Sequence, residues 1–431
     1  MMSHPVLQRI KRYRTPVLSV VATVLLVTSA VYILLAGLPE IQLTMRAPNG
    51  IESFSLLAIP MFLLAGNLMN GMGVTERIFN FAGVLVRHIT GGLGHVNVVA
   101  SILFAGMSGS AVADAGGLGA VEIRAMEKAG YSKRFSAAVT AASATMGPII
   151  PPSITLVVYG FLAEESVGRL FLGGALPGLL TGFALMVIIW ILVKTGREEA
   201  PRLPRASFRE VTGAFWKAIP ALMAPVILLG GILAGVFTPT EASVVVVLYI
   251  LVIGTLSMGF DRAQIVEALL GTVRTSAATL FIIAVSAVFG WIISIQRLPI
   301  AMVDMMQDMF VSKAAAMALI IVILLIVGMF MEVLAALVLL VPTLLAIATS
   351  FDIDTVHLGV TVVVTMMIGT ITPPVGLVLY TVMTVARVGM GDLTRALAPF
   401  YVAMIVVALL VAFVPQITLF LPDLLMPPGQ R

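Results

Sequence analysis

Ser108 and Ser110 flank a glycine, and Asp114 follows one helical turn later, inside an otherwise apolar stretch from Gly91 to Tyr131. Carbonyl and hydroxyl oxygens gathered away from water suit a hard cation such as Na⁺. Downstream, G-P-I-I-P-P-S (Gly147 to Ser153) sets three prolines in seven positions. A proline inside a helix has no N–H to give and clashes with the carbonyl four residues back, costing about 3 kcal/mol. Carbonyls freed at such a break, Gly147 and Ile150 among them, can turn to a cation. The half-helix N-termini carry partial positive charge and suit an anion.

The pattern occurs twice. G-T-I-T-P-P (Gly369 to Pro374) matches G-P-I-I-P-P (Gly147 to Pro152), 222 residues on. The same ungapped offset takes Gly106-Met107 to Gly328-Met329 and Pro177 to Pro399. Three anchors at one offset mark an internal duplication. In the first half the candidates are Ser108, Gly109 and Ser110, with Gly147, Ile150 and Pro152 at the break. In the second they are Gly328, Met331 and Ala335, opposite Gly369, Thr372 and Pro374. Acidic residues in apolar segments are functional candidates by default. Asp114 and Glu332 are expected to brace the two tips or to ligate directly. Glu122 is expected to be solvated at the base of its segment.

The elements that position these residues must cross a membrane. Sixty per cent of the 431 residues are hydrophobic, 11 % are charged, and the mean hydropathy is +1.11. Soluble domains carry about 25 % charged residues. The chain reads as an all-α polytopic membrane protein; a β-barrel would show short alternating segments. There are no cysteines, which excludes disulfides, thiolate metal sites and cysteine nucleophiles. The net charge of +4 is explained by loop Lys and Arg and implies no nucleic-acid partner. G-M-S-G (Gly106 to Gly109) also spells a pattern of intramembrane serine proteases. That chemistry needs a histidine within reach of the serine, and His4, His88, His95 and His357 all fall near helix ends or membrane faces. No H-E-x-x-H or Walker A loop occurs. The chain is therefore not expected to be an enzyme.

About nine crossings are predicted, at 17–38, 54–70, 132–165, 168–193, 218–236, 241–258, 273–296, 353–386 and 396–421. Segments 91–131 and 313–350 read instead as re-entrant hairpins. The arms of the first rise only about 20 Å at ~1.5 Å per residue, short of the ~30 Å hydrocarbon core. The basic N-terminus (Arg9, Lys11, Arg12, Arg14) precedes an apolar run read as a retained first helix rather than a signal peptide. S-F-R-E-V-T (207–212) reads as the start of a surface helix, and Met302, Met305, Met306 and Met309 as an interfacial amphipathic one. Lys and Arg concentrate on one face, which places the N-terminus in the cytoplasm and the C-terminus outside. Counted through these crossings, the hairpins open to opposite sides, so the repeats are inverted. Interrupted segments at matching places in inverted halves point to a secondary-transporter site. The organisation expected is an anchor helix and loop (1–53), a first repeat (54–194, with hairpin 91–131 and broken helix 132–165), connecting helices (195–258) and a second repeat (273–421, with hairpin 313–350 and broken helix 353–386).

Six stretches carry a family resemblance: L-A-I-P-M-F-L-L-A-G-N-L-M (Leu57 to Met69), G-M-S-G-S-A-V-A-D (Gly106 to Asp114), Y-S-K-R-F-S-A-A-V (Tyr131 to Val139), G-P-I-I-P-P-S, F-T-P-T-E-A (Phe237 to Ala242) and G-T-I-T-P-P-V-G (Gly369 to Gly376). In that order they resemble the large membrane subunit, DctM type, of tripartite ATP-independent periplasmic (TRAP) transporters, across roughly Phe54 to Pro415. The resemblance implies a Na⁺-driven importer of organic acids in the bacterial inner membrane. It implies an elevator mechanism, in which a transport domain slides against a scaffold domain. It also implies two partners, a periplasmic substrate-binding protein and a small four-helix membrane subunit. Carried over, one Na⁺ site is Ser108, Gly147, Ile150 and Pro152, and the other is Gly328, Met331, Gly369 and Thr372. Substrate falls near Ser108, Ser110 and Pro374, with Asp114 and Glu332 in support. A stand-alone Na⁺/dicarboxylate symporter of related architecture is the alternative. The N-terminus departs from the family pattern: one apolar helix is followed by a polar stretch, Pro39 to Gly50, where members usually show a second helix.

Overall fold

The computed structural model describes residues 21–201, 204–257, 261–309 and 312–426, and every regular element among them is helical. The basic cluster Arg9 to Arg14 and the first residues of the crossing expected at 17–38 lie outside the described residues. Seven helices are long and apolar enough to span a bilayer, or eight if Ala58–Gly71 and Val74–Val86, which meet at 75°, form one bent span. One apolar cluster runs through most of the molecule.

The duplication is visible in how helices start. Ser110 caps Ala111–Gly116 by accepting from the Ala113 N–H, and Glu332 caps Val333–Ser350 by accepting from the Ala335 N–H. These two residues are also 222 apart. So are Ser132, which caps Lys133–Ala144 through the Phe135 N–H, and Asp354, which caps Thr355–Gly369 through the His357 N–H. A capping side chain satisfies an N–H that the helix itself leaves free. Serine in one half and a carboxylate in the other do the same job, so identity at these positions is lost while their function is kept.

At each Pro-rich break one helix ends and another begins. At the first these are Lys133–Ala144 and Ile154–Leu162; at the second, Thr355–Gly369 and Leu377–Ala386. The peptide bonds Pro151–Pro152 and Pro373–Pro374 are both cis. Near the first break the helix tightens, with Met146 N–H donating to Ser143 and Gly147 N–H to Ala144, each three residues back. Such i→i−3 bonds are how a helix end satisfies its last donors.

Packing sets the relation between the halves. The Tyr159 hydroxyl donates to the Thr355 carbonyl at 2.7 Å, and bare Gly359 lies under the Tyr159 ring. Tyr159 is near the end of the first broken helix and Thr355 at the start of the second. At the other end, Lys133–Ala144 packs on Leu377–Ala386. The two broken helices are therefore antiparallel. Moreover, Ile154–Leu162 packs on Val333–Ser350, and Leu377–Ala386 packs on Ala111–Gly116. Exchanging the repeats maps one pair onto the other.

Some expectations need correction. Val74–Val86 is an additional helix, with Val74, Ile78, Phe81 and Ala82 buried on one face. The surface helix expected at 207–212 is the first turn of Phe208–Leu233, begun by a capping box between Ser207 and Glu210. The stretch expected as a loop holds a short exposed helix, Ile41–Asn49, packed on Arg262–Ile295 with Arg46 over the Trp291 ring. The arms of the second hairpin, Lys313–Phe330 and Val333–Ser350, are 18 residues each and so pass as spans by length and composition. The methionine-rich helix is present as Leu298–Met309, with Met306 buried and Met305 exposed.

Candidate functional site

In both repeats a hairpin tip meets a helix break. The first hairpin runs Gly92–Ser108, turns at Gly109 with φ +59°, and returns through Ala111–Gly116 and Leu118–Lys128. A β-carbon at Gly109 would lie 3.0 Å from the Pro152 carbonyl oxygen and 3.1 Å from the Ile154 nitrogen. The positive φ and this close approach both demand glycine. In the second repeat, a β-carbon at Gly369 would come within 2.5 Å of the Gly328 carbonyl carbon. Gly376 N–H donates to the Met329 carbonyl at 3.1 Å, which stitches tip to break.

At the first tip the Ser108 hydroxyl donates to Asp114 Oδ1 and accepts the Ser110 N–H at 3.3 Å. Both Ser108 and Asp114 are buried. The second carboxylate oxygen, Oδ2, has no hydrogen-bond partner and sits where a β-carbon of Gly147 would go. Asp114 thus spans from tip to break. Ile150 turns its side chain into the bare face of Gly178 on Val167–Lys194. The Pro148 carbonyl is taken by the Ser153 hydroxyl, which also caps Ile154–Leu162.

At the second tip Met331 is the extended residue that ends the first arm, with φ −115° and ψ 151°. The Thr372 hydroxyl donates to the Ile368 carbonyl at 2.7 Å and lies beside the Tyr401 hydroxyl; a hydroxyl that donates keeps acceptor capacity on its oxygen. The Gly369 carbonyl accepts the Thr372 N–H at 2.9 Å. Glu332 spends one carboxylate oxygen on its helix cap. Ala335 is fully buried and supplies the N–H that Glu332 accepts. Pro374 is exposed, two residues before Gly376, the N-cap of Leu377–Ala386. That helix packs on Ala111–Gly116, which Ser110 caps. Ser110 and Pro374 therefore flank the starts of two helices in contact; at the second, the Gly376 and Val378 N–H groups already donate to the Met329 and Thr370 carbonyls.

Two features were not expected. Glu122 is buried, 1 % exposed, and its Oε1 has no partner, whereas the sequence suggested a solvated residue. The hairpin returns into packed helices rather than into water. Asn97 links the hairpin to the broken helix: its amide donates to Thr140 at 2.7 Å and accepts from Ser143 at 2.7 Å. The signal was present as Ser136, Thr140 and Ser143 on one helix face, but its partner is far along the chain. Ser108 meets a carboxylate rather than a histidine; His95 pairs with the Thr90 carbonyl and His357 with that of Ala412. The protease arrangement is absent among the described residues.

Residues 13–417 match the family described as "Tripartite ATP-independent periplasmic transporter, DctM component". The chain is 47 % identical to the sialic acid TRAP transporter large permease protein SiaM of Vibrio cholerae, over 89 % of each chain. It is 38 % identical to the C4-dicarboxylate TRAP transporter large permease protein DctM of Pseudomonas aeruginosa, over 86 % of this chain and 87 % of that one. Among solved structures, the Alcanivorax borkumensis YdaH transporter superposes with a TM-score of 0.64, covering 93 % of this chain and 97 % of that one at 15 % identity, a likeness of fold. These matches cover both tip–break pairs, so the chain belongs to the DctM-component family of tripartite ATP-independent periplasmic transporters and is a multi-pass transporter permease subunit, not an enzyme.

Proposed function

We propose that this chain is the large membrane subunit of a Na⁺-coupled importer of organic acid anions in the bacterial inner membrane. A periplasmic binding protein delivers the anion, and a small membrane subunit completes the complex. Sialic acid is the first substrate to test, because the relative named for it is 47 % identical against 38 % for the C4-dicarboxylate one. The N-terminus faces the cytoplasm and the C-terminus the periplasm, on the asymmetry of Lys and Arg.

The observation that carries this reading is that a hairpin tip meets a helix break in each repeat, Gly109 against Pro152 in the first and Gly328 against Gly369 in the second. Each gathers carbonyl and hydroxyl oxygens, the ligands a hard cation requires. One Na⁺ takes oxygens of Ser108, Gly147, Ile150 and Pro152. The other takes those of Gly328, Met331, Gly369 and Thr372. The anion lies between, against Ser108, Ser110 and Pro374. Antiparallel broken helices support inverted repeats, since halves running in parallel would not bring Tyr159 to Thr355. Alternating access then follows from sliding the two tip–break pairs as one body, an elevator motion. The test is uptake of labelled sialic acid into proteoliposomes holding this chain and both partners, with and without an inward Na⁺ gradient. Uptake rises with the gradient; uptake indifferent to Na⁺ overturns the coupling. Equal uptake by this chain alone would favour the stand-alone symporter.

A further inference from the structure

A cleft of about 260 Å³ lies where the second hairpin meets Arg262–Ile295 and Leu298–Met309. Phe289, Met302, Met306, Leu319 and Leu340 line it, and its one polar side chain is Thr343. Water needs two to four polar partners to occupy such a space, and these walls do not offer them. A transmembrane helix does not fit either: one turn, ~10 Å across and ~5.4 Å high, fills roughly 400 Å³.

The cleft opens at Leu298, which lines it and is 45 % exposed. Arg297, the residue before, is exposed and has no ion pair among the described residues. The hairpin arm beside it presents Val322 and Ile326 outward, each about half exposed, as lipid-facing residues do. A narrow apolar slot whose exposed lining residue Leu298 follows an exposed arginine in sequence suits an acyl chain that carries a phosphate at its head. We propose that the cleft binds one acyl chain of a membrane phospholipid, with the headgroup phosphate on Arg297. The lipid then lies between the second hairpin and the two helices it packs on. The inference is independent of Na⁺ coupling.

The test is photolabelling of the full chain in proteoliposomes with phosphatidylglycerol carrying a diazirine midway along one acyl chain. Labelled peptides are expected from 298–309 and 339–347, above the level on Pro239–Ser257, whose exposed Val244 and Leu248 report ordinary lipid contact. Leu340→Trp fills the slot and removes the excess. Arg297→Gln, on the surface and harmless to packing, lowers it roughly fivefold, the factor for one basic side chain at an anionic surface. A diacylglycerol probe with the same chains labels the cleft weakly and ignores Arg297→Gln. Labelling at the Pro239–Ser257 level overturns the proposal. So does labelling that neither variant changes, or a cross-link at the cleft to a second copy or another protein.

Discussion

The Asp114 carboxylate occupies the space that a β-carbon at Gly147 would need. A residue on the returning arm of the first hairpin thereby fixes the side chain allowed at the break. Gly147→Ala should destabilise by about 1–3 kcal/mol, the usual cost of overpacking. Asp114→Ala vacates the space, so the added penalty of Gly147→Ala should largely vanish in that background. Thermal unfolding of the four purified proteins measures the coupling. Strictly additive shifts would show that the two residues do not compete.

Gly369 faces a harder neighbour. Its missing β-carbon would meet the backbone of Gly328, and backbone cannot rotate away as a carboxylate can. Gly369→Ala should therefore destabilise more than Gly147→Ala and should not be rescued by any single side-chain truncation. Gly83, which has open space around it in Val74–Val86, is the control. Gly83→Ala should raise stability by up to about 1 kcal/mol through helix propensity. Equal losses at 369 and 83 would refute the close tip–break approach.

Much of the candidate site was legible because it is written in backbone rules. Proline pairs, glycines and their common offset are local facts, and they located both breaks and both tips. Val74–Val86 was missed although its apolar residues recur at helical spacing, because Glu76, Arg77 and Asn80 on the other face hid it from a search for apolar runs. Glu122 was misjudged for a different reason. Its burial depends on which helices close over the returning arm, and that is tertiary information. Asn97 likewise means nothing until Thr140 and Ser143 are brought beside it.

That Asn97 network gives a third prediction. Asn97→Leu takes from the Ser143 hydroxyl its shorter acceptor, leaving only the Thr140 carbonyl at 3.2 Å, and takes from the Thr140 hydroxyl its donor, all in buried surroundings. An unmade buried hydrogen bond costs about 1–3 kcal/mol. Ser143→Ala alone should cost less, because the Asn97 amide keeps its bond to Thr140. A thermal-shift order in which Ser143→Ala is the worse variant would contradict the network.

Thr372 separates ligation from packing. If its oxygen holds Na⁺, Thr372→Ser keeps the hydroxyl and Thr372→Val keeps only the shape. Thr372→Val should raise the Na⁺ concentration needed for half-maximal uptake about tenfold or more, the factor that corresponds to the ~1.5–3 kcal/mol of a hydrogen bond to a charged group. Thr372→Ser should stay near the parent. Matching Na⁺ dependence in both variants would remove Thr372 from the cation site.

Glu198 supplies a pH dependence on the connecting segment outside the helices. Both its oxygens accept from the Ser132 hydroxyl, at 2.9 and 3.0 Å. Burial pushes its carboxyl up, against smaller lowering contributions from Ser132 and from the nearby Arg134 charge. The folded chain thus holds this proton to a higher pH than the unfolded chain, whose carboxyl has the ordinary value of about 4.3. Its contribution to stability is greatest below that ordinary value and is lost as pH rises from there through the folded one. Partial exposure and the solvent screening it brings keep the effect small. Glu198→Gln can still accept from Ser132 but carries no titrating proton. The variant should lose this component of the pH slope, and its melting temperature should match or exceed the parent's at neutral pH. An unchanged slope between mildly acidic and neutral pH would show that Glu198 is solvated like any surface carboxylate. The Ser132 cap is separable from this titration, because Ser132→Ala removes the bond to the Phe135 N–H and should cost about 1 kcal/mol at every pH.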